Sequence, residues 1–526
     1  MAECKTEPIY VQVKFQRIQT YLFAIPRLRA MLGANALLGE TIRKNLPEVC
    51  QDLTCPLDFQ FQLDSPCDDP LDQVDCNEDL KDNPKLLYKK GILSRDGGYF
   101  IVVLKSPGDL QIFISRVQEV LTECPGLRYT INYKPFNSSN EDWNSWQAEP
   151  IILDPHLPFY EICRETGLDW ASHKQFDERQ KRPSAQEDQK TPEIPVSARA
   201  AQLRDEGANF YKKKSKDLIS LLSSQFPGSG SNKKFLFPID LEDFSKRSGG
   251  YLALIQIDGN QIGLRSKMRM EEFKEQSSSR KEAANEVFYH ALRVAMRRGL
   301  CSALHSTFGR FVERVKNPGS EVLPYQVLML GGDDMMLLTR PEFALRFVHH
   351  LACSLRDKRI SFLPGQPRPV SFAASVVIAK HNLPIYRLAE ISDMLLSGAK
   401  RLYRSQTLLD GDCLPPERST VDWTVATSSW LTELDAHRRS QEYVEIDVGG
   451  VTEQLALTGK PYFILPGPVG CDPIDSLSGL LDAADGLRSS LKRDSVTREA
   501  PKLPDLNCVS WSTFLAREGD SANGNF

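Results

Sequence analysis

An α+β architecture built twice in tandem is predicted by three features of the sequence. Residues from about 8 to 135, and again from 249 to about 405, carry apolar strand and helix patterns in the order β-α-β-β-α-β. In both stretches the end of the first strand precedes a glycine-rich hairpin by about 75 to 80 residues, a mark of internal duplication. The central hairpin of each unit calls for antiparallel pairing, so each is expected to be a ferredoxin-like sandwich of one antiparallel sheet with helices on one face.

In the first unit, Ile9-Tyr10-Val11-Gln12-Val13-Lys14-Phe15 alternates as a half-buried strand does. Ile25 to Leu46 has helical apolar spacing and is expected to stop before Pro47. Leu86-Leu87-Tyr88 and Tyr99 to Leu104 read as strands flanking the turn Ser94-Arg95-Asp96-Gly97-Gly98. Pro107-Gly108-Asp109 signals the start of a helix to Leu121, and Arg128 to Tyr133 returns as a strand. In the second unit, the apolar, β-branched run Tyr251 to Ile257 precedes a helix over roughly Glu271 to Leu304. A hairpin with Gly331-Gly332-Asp333-Asp334 at its tip follows, then a helix from Pro341 to Arg356 with proline in its first turn. Val370 to Ala379 reads as a strand and Pro384 to Arg404 as an amphipathic helix.

The predicted organisation is a first unit over 1–150, a linker with a small helical region over 151–248, a second unit over 249–405, and a mainly helical region over 406–526. Residues 50–85 are rich in Asp, Pro and Cys and read as an irregular insertion; 172–200 and Gly228-Ser229-Gly230-Ser231 read as loops. Beyond 405, Tyr443-Val444-Glu445-Ile446 has strand character and Asp482 to Lys492 helical character.

With 526 residues and 41% hydrophobic content, the chain can build several packed cores. No run approaches the roughly 18 apolar residues of a membrane helix, and Met1 to Glu7 lacks a basic-then-apolar leader, so a cytoplasmic protein with no membrane contact is expected. Twelve cysteines without any C-x-x-C pair argue for thiols rather than a zinc ribbon. A net charge of -4 provides no global attraction to nucleic acid. The basic clusters at Tyr211 to Lys216, at Asn232-Lys233-Lys234 and from Arg265 to Arg269 read as solvated faces.

The chemistry concentrates at two strand ends. Adjacent carboxylates at Asp333 and Asp334, held at the tip of an apolar hairpin, repel each other unless a cation sits between them. Gly-Gly and Gly-Asp pairs are also ordinary hairpin turns, so the tip alone leaves structure and catalysis both open. The strand from Tyr251 ends in Asp258-Gly259-Asn260-Gln261-Ile262-Gly263, which places a third carboxylate beside backbone N–H groups suited to phosphate. Asp258 can then share a cation with Asp333 and Asp334; the alternative is a strand-end Asx turn. His349 and His350 point about 100° apart on a helix and read as ordinary helix residues rather than a metal pair.

Three segments taken together, Leu252 to Gly263, Val327 to Leu338 and Val370 to Lys400, resemble the palm domain of the large subunit of type III CRISPR effector complexes, the CRISPR polymerases related to GGDEF nucleotide cyclases. Phe15 to Glu40 is similar to the opening of that family's first palm. The resemblance implies two palm domains, the second bearing the metal-binding Gly-Gly-Asp-Asp. The first is expected to hold no catalytic metals, since it has Ser94 to Gly98 at its turn and Gln16 or Gln19 near its strand end. The HD nuclease domain and zinc ribbon of many members are not expected here: the chain has no His-Asp dipeptide, and Cys163 stands alone where a knuckle would lie.

What the resemblance implies chemically is attack of a ribose hydroxyl on the α-phosphate of a nucleoside triphosphate, ATP foremost, with two Mg2+ or Mn2+ ions. Asp258 and Asp333 are the expected bridging ligands, with Asp334 as third carboxylate. Gly331 and Gly332 would let the backbone approach the nucleotide, and Gly259 and Asn260 would cradle the triphosphate. Lys400 matches a family lysine that reaches phosphate, although a basic residue near a helix C-terminus has a purely structural use too. Ser371 or Ser375, alternating on their strand, would touch the base. The activities in view are a cyclase making cyclic oligonucleotide second messengers, an RNA-binding scaffold contacting guide or target RNA and other effector subunits, and a stand-alone signalling cyclase.

Overall fold

A computed structural model describes residues 7–57, 83–95, 98–124, 126–136, 143–147, 161–166, 170–176, 193–213, 235–236, 238–273, 278–315, 321–363, 366–406, 416–426, 443–448, 451–456, 459–467 and 476–497. The expected α+β character holds, with two main sheets and the helices that cover them.

The first sheet contains β1 (Ile9–Gln16), β2 (Ile92–Ser94), β3 (Tyr99–Leu104), β4 (Arg128–Pro135) and β5 (Asn144–Gln147), in the order β2-β3-β1-β4-β5. On one face, Val11, Val13, Phe100 and Val102 pack with helices α1 (Leu28–Glu40) and α2 (Asp109–Thr122), burying Ala34, Leu37, Phe113 and Val117. Period-two alternation sends Tyr10, Ile101 and Val103 to the other face. A hairpin of β6 (His173–Phe176) and β7 (Glu193–Val196) leads into α3 (Ala198–Lys213). Helices α1 and α3 cross where neither backbone has room for a side chain. A Cβ on Gly33 would lie 2.0 Å from the carbonyl oxygen of Leu203, and one on Gly207 would lie 2.0 Å from that of Arg29.

The second sheet is built around β8 (Tyr251–Gly259). Helices α4 (Ile262–Glu272) and α5 (Ser278–Arg314) follow it, then the hairpin β9 (Tyr325–Leu330) and β10 (Met335–Thr339), and α6 (Pro341–Arg356). A small hairpin of β11 (Arg359–Leu363) and β12 (Gln366–Pro369) precedes β13 (Phe372–Lys380) and α7 (Ile385–Arg404). Next come β14 (Thr420–Ala426), the separate hairpin of β15 (Tyr443–Val448) and β16 (Val451–Ala456), the short β17 (Tyr462–Phe463), and α8 (Leu477–Thr497). The sheet order is β17-β14-β13-β8-β10-β9. In both sheets the first strand of the unit lies between the third and the last, the order of a split β-α-β sandwich. Among the described residues, the two non-glycine residues with positive φ are Arg17, at 52°, and Gln261, at 54°. Each stands between the first strand of its unit and the helix that follows.

Several expectations are corrected. Helices cover the second sheet on both faces rather than one. Ala253, Ile255 and Ile257 face α5 and α6, while Leu252 and Leu254 face α7 together with Leu28, Met31 and Leu32 of α1. That two-sided burial explains why the β8 sequence is an unbroken apolar run. The helix expected to stop before Pro47 continues through a π turn, Thr41–Asn45, into Leu46–Cys50. Proline is tolerated there because it stands in the first turn of the new segment, where its missing N–H removes no bond. Leu86 to Tyr88 are helical, within Pro84–Lys89, and the strand begins only at Ile92. Past residue 405 the described residues are not mainly helical. β14 is rich in Thr, Val and Trp and joins the second sheet parallel to β13, with α7 as the crossover between them.

The Arg265 to Arg269 cluster is not a solvated face, since both terminal arginines are buried. His350 accepts or donates one hydrogen bond with Thr307, at 2.9 Å, in keeping with an ordinary helix residue. Cys50, Cys124, Cys163 and Cys301 are buried thiols outside any disulfide. The acidic and glycine tip Asp96-Gly97 and most of the basic clusters at 211–216 and 232–234 lie outside the described residues. Among the described residues, no helix is long and apolar enough to cross a membrane.

Candidate active site

Strand register brings the acids together. Antiparallel pairing sets Ile257 opposite Met335, so the next residues, Asp258 on β8 and Asp334 on β10, emerge side by side at the end of the sheet. The hairpin tip closes through the Gly331 N–H, which donates to the Asp334 carbonyl at 2.8 Å, and this folds Asp333 back toward β8. Asp258, Asp333 and Asp334 each offer a carboxylate oxygen, all within 4.8 Å of one another, and all three residues are half-buried. Lys400, arriving from the last turns of α7, places Nζ 2.8 Å from Asp258 Oδ1.

A cavity of about 280 Å³ opens beside this cluster, lined by the turn from Asp258 to Gly263 and by Asp333, Lys400, Tyr403 and Arg404. Arg404 and Tyr403 were not anticipated from the sequence. Their signal was helical periodicity, since Arg404 stands four residues beyond Lys400 and shares its face.

The glycines play unequal parts. A Cβ on Gly259 would lie 2.6 Å from Ile262 Cγ1 and 2.8 Å from Asp333 Cβ, so only glycine lets the hairpin tip seat against β8. Gly331 and Gly332 have ordinary φ values and open space, with no neighbour nearer than 3.6 Å and 4.0 Å respectively to an added Cβ. The turn does not demand them. Asn260 lines the cavity although the residue is only 2% exposed, and its Nδ2 donates to Ser371 Oγ at 3.1 Å. Ser371 is 1% exposed and donates in turn to Glu417 Oε2 at 2.7 Å. It lies beneath the turn rather than in the cavity. Ser375 is buried against Ser392 and does not line the cavity either.

Burial and mutual repulsion dominate the electrostatics. Burial, then the neighbouring Asp258, pushes the Asp333 carboxyl up to about 6. Asp334 is raised further, first by burial, then by Asp333 and Asp258, with Lys400 opposing only in part. Three converging hard oxygen donors, two of them with raised carboxyls, are a set that a divalent cation relieves, and it suits Mg2+ or Mn2+. The Oδ1 of the neighbouring Asn260 is buried without a hydrogen-bond partner.

A pH dependence follows from these shifts. Between the unfolded carboxylate value near ~3.9 and about 6, the folded chain holds a proton on Asp333 that the unfolded chain has lost. The stability this contributes is fully present below ~3.9 and is lost as pH rises through 6. In chelator-treated protein, the melting temperature is expected to fall between pH 5 and pH 7.5 at constant ionic strength. Asp333→Asn should flatten that part of the profile, and Mn2+ at pH 7.5 should restore the lost degrees.

The fold and site define an α+β protein whose two main sheets share their strand order and which, among the described residues, has one convergent carboxylate cluster. No protein-family model matches the chain, and no curated protein matches it. Solved structures similar to it include structures of Csm1. One is the Csm1–Csm4 subcomplex of the type III-A CRISPR-Csm interference complex, at 10% identity and a TM-score of 0.37, covering 78% of this chain and 54% of that one. Another is the Csm1–Csm4 cassette in complex with cA4, at 12% identity and a TM-score of 0.36, covering 78% and 54%. A third is Csm1 in T. onnurineus, at 12% identity and a TM-score of 0.36, covering 78% and 52%. The chain spans about half the length of these matched structures.

Proposed function

We propose that this protein is a metal-dependent nucleotidyltransferase of the cyclase type. It would convert nucleoside triphosphates, ATP foremost, into cyclic oligonucleotides that signal in CRISPR-type antiviral defence. The observation that carries the reading is the meeting of Asp258, Asp333 and Asp334 at the end of two adjacent central strands, beside a cavity with Lys400 and Arg404 on its wall. The defence setting rests on the motif resemblance described above.

Two Mg2+ or Mn2+ ions held by Asp258, Asp333 and Asp334 would supply the acidity that activates a ribose hydroxyl and offset charge on departing pyrophosphate. The chain supplies the rest. The backbone N–H groups at the start of α4, together with Lys400 and Arg404, form a positive wall for the triphosphate. Lys400, shared with Asp258, keeps that carboxylate in place. The hydroxyl oxygen would bond to the α-phosphorus as its proton passes to solvent and the bond to the β-phosphate oxygen breaks, with pyrophosphate leaving.

The test is incubation of purified protein with α-labelled ATP and Mn2+, with and without RNA drawn from guide and target sequences. A labelled oligonucleotide product with stoichiometric pyrophosphate is expected. Absence of product in every arm, with correctly folded protein, would remove the reading.

A further inference from the structure

Glu417 lies just before β14, far along the chain from the acidic cluster, yet it sits under the nucleotide-facing turn. Its side chain is 5% exposed and forms an ion pair with Arg265, which is 2% exposed. Glu417 Oε2 accepts from Ser371 Oγ at 2.7 Å and from the Tyr403 hydroxyl at 3.4 Å. Ser371 holds Asn260 twice: its Oγ accepts from Asn260 Nδ2 at 3.1 Å, and its carbonyl accepts from the Asn260 N–H at 3.0 Å. Arg265 sits in the first turn of α4, and its N–H donates to the Gln261 carbonyl at 3.0 Å. The same short segment is stitched down by Ser419, which accepts from the Phe372 N–H, and by Thr420, which donates to the Ala399 carbonyl.

One carboxylate thus joins the end of β8, the start of α4, the entry to β13 and the end of α7. Those elements carry Asn260, Gln261 and Tyr403 to the cavity, whereas Glu417 and Ser371 do not line it. A buried ion pair gives little net stability compared with apolar packing, so its placement here is better explained by the geometry it fixes.

We propose that Glu417 is a positioning residue for the nucleotide cradle, setting the Asn260 turn and Tyr403 along the cavity wall through Ser371, Arg265 and the Tyr403 hydroxyl. This rests on reading the cavity as a nucleotide site. It predicts an effect on nucleotide binding more than on the chemical step, because the carboxylates of the β9–β10 tip are held by a different hairpin.

Full-length Glu417→Gln and Ser371→Ala variants, and the double variant, are compared in two measurements. In steady-state turnover of ATP with Mn2+, each single variant should raise KM about tenfold with kcat within about threefold. The double variant should be no worse than the weaker single, as expected of residues acting in one chain of contacts. A fall in kcat at unchanged KM, or additive effects, would overturn the proposal. In hydrogen exchange, peptides covering 259–265 should exchange several-fold faster while peptides of β8 upstream of Asp258 stay protected. Unchanged exchange in that turn, or a uniform rise across the sheet, would also overturn it. Exchange needs no turnover, so an inactive wild type would remove the proposed activity while leaving the positioning role to be judged on its own. If Glu417→Gln does not fold, Ser371→Ala carries both measurements.

Discussion

Replacing Asp333 and Asp334 together by asparagine is expected to abolish nucleotidyl transfer, by at least ~10³-fold, while making the metal-free protein more stable. The two effects have one origin. Asp333 and Asp334 are half-buried beside Asp258; burial and then Asp258 raise the Asp333 carboxyl, and burial, then Asp333 and Asp258, raise that of Asp334. At neutral pH the ionised cluster costs the fold energy that amides would not, on the order of 1–3 kcal/mol. Thermal melting in chelator at pH 7.5, alongside turnover of labelled ATP, checks both halves. A variant that loses activity because it loses stability would contradict the argument, since repulsion requires the opposite sign.

Gly259→Ala is the second change with a large expected effect. The added methyl would meet Ile262 Cγ1 at 2.6 Å and Asp333 Cβ at 2.8 Å; the first contact is relieved by shifting the Ile262 side chain at the start of α4, the second by moving the tip of the β9–β10 hairpin away from β8. Overpacking of this kind costs about 1–3 kcal/mol, but the larger consequence is geometric. A shift near 1 Å separates Asp333 from Asp258, and misplacement on that scale costs on the order of 10²-fold in rate. By contrast, Gly331→Ala and Gly332→Ala meet no close neighbour. Melting and Mn2+ affinity for the three alanine variants should therefore single out Gly259; equal losses at all three would show that the tip does not seat against β8 as described.

The contrast among these glycines also shows where the sequence was readable and where it was not. Asp258, Asp333 and Asp334 could be found because Asp258 lies at the end of an apolar strand and the Asp333-Asp334 pair sits in the turn between two others, and carboxylates set at the ends of buried strands are a local pattern. Register then did the rest, pairing Ile257 with Met335. The two-sided covering of β8 was written in its unbroken apolar run, but not which helices would cover it. Leu28, Met31 and Leu32 reach the second sheet from a helix some two hundred residues upstream, and helical spacing does not name a partner.

Ser371 was misplaced for a related reason. Alternation along β13 says which residues share a face, yet not that Glu417 would draw the Ser371 hydroxyl under the turn. Glu417 itself carries no local signal at all: a single glutamate near Pro415 and Pro416 reads as loop, and its meaning arises only from tertiary contact with Arg265. The strand Thr420–Ala426 was missed in a region expected to be mainly helical: Asp422 interrupts its Thr, Val and Trp pattern, and in the fold that aspartate is buried opposite Ser375.

The central claim, that Asp258, Asp333 and Asp334 form one divalent-metal site at a nucleotide cavity, is tested most directly by counting bound ions. Mn2+ titration followed by electron paramagnetic resonance, in the presence of a non-hydrolysable ATP analogue, should show two bound ions in the unaltered protein. In the protein carrying Asp258→Asn, Asp333→Asn and Asp334→Asn it should show none at the same concentrations. Undiminished binding in the triple variant, or no binding in the unaltered protein at pH 7.5, would contradict the account.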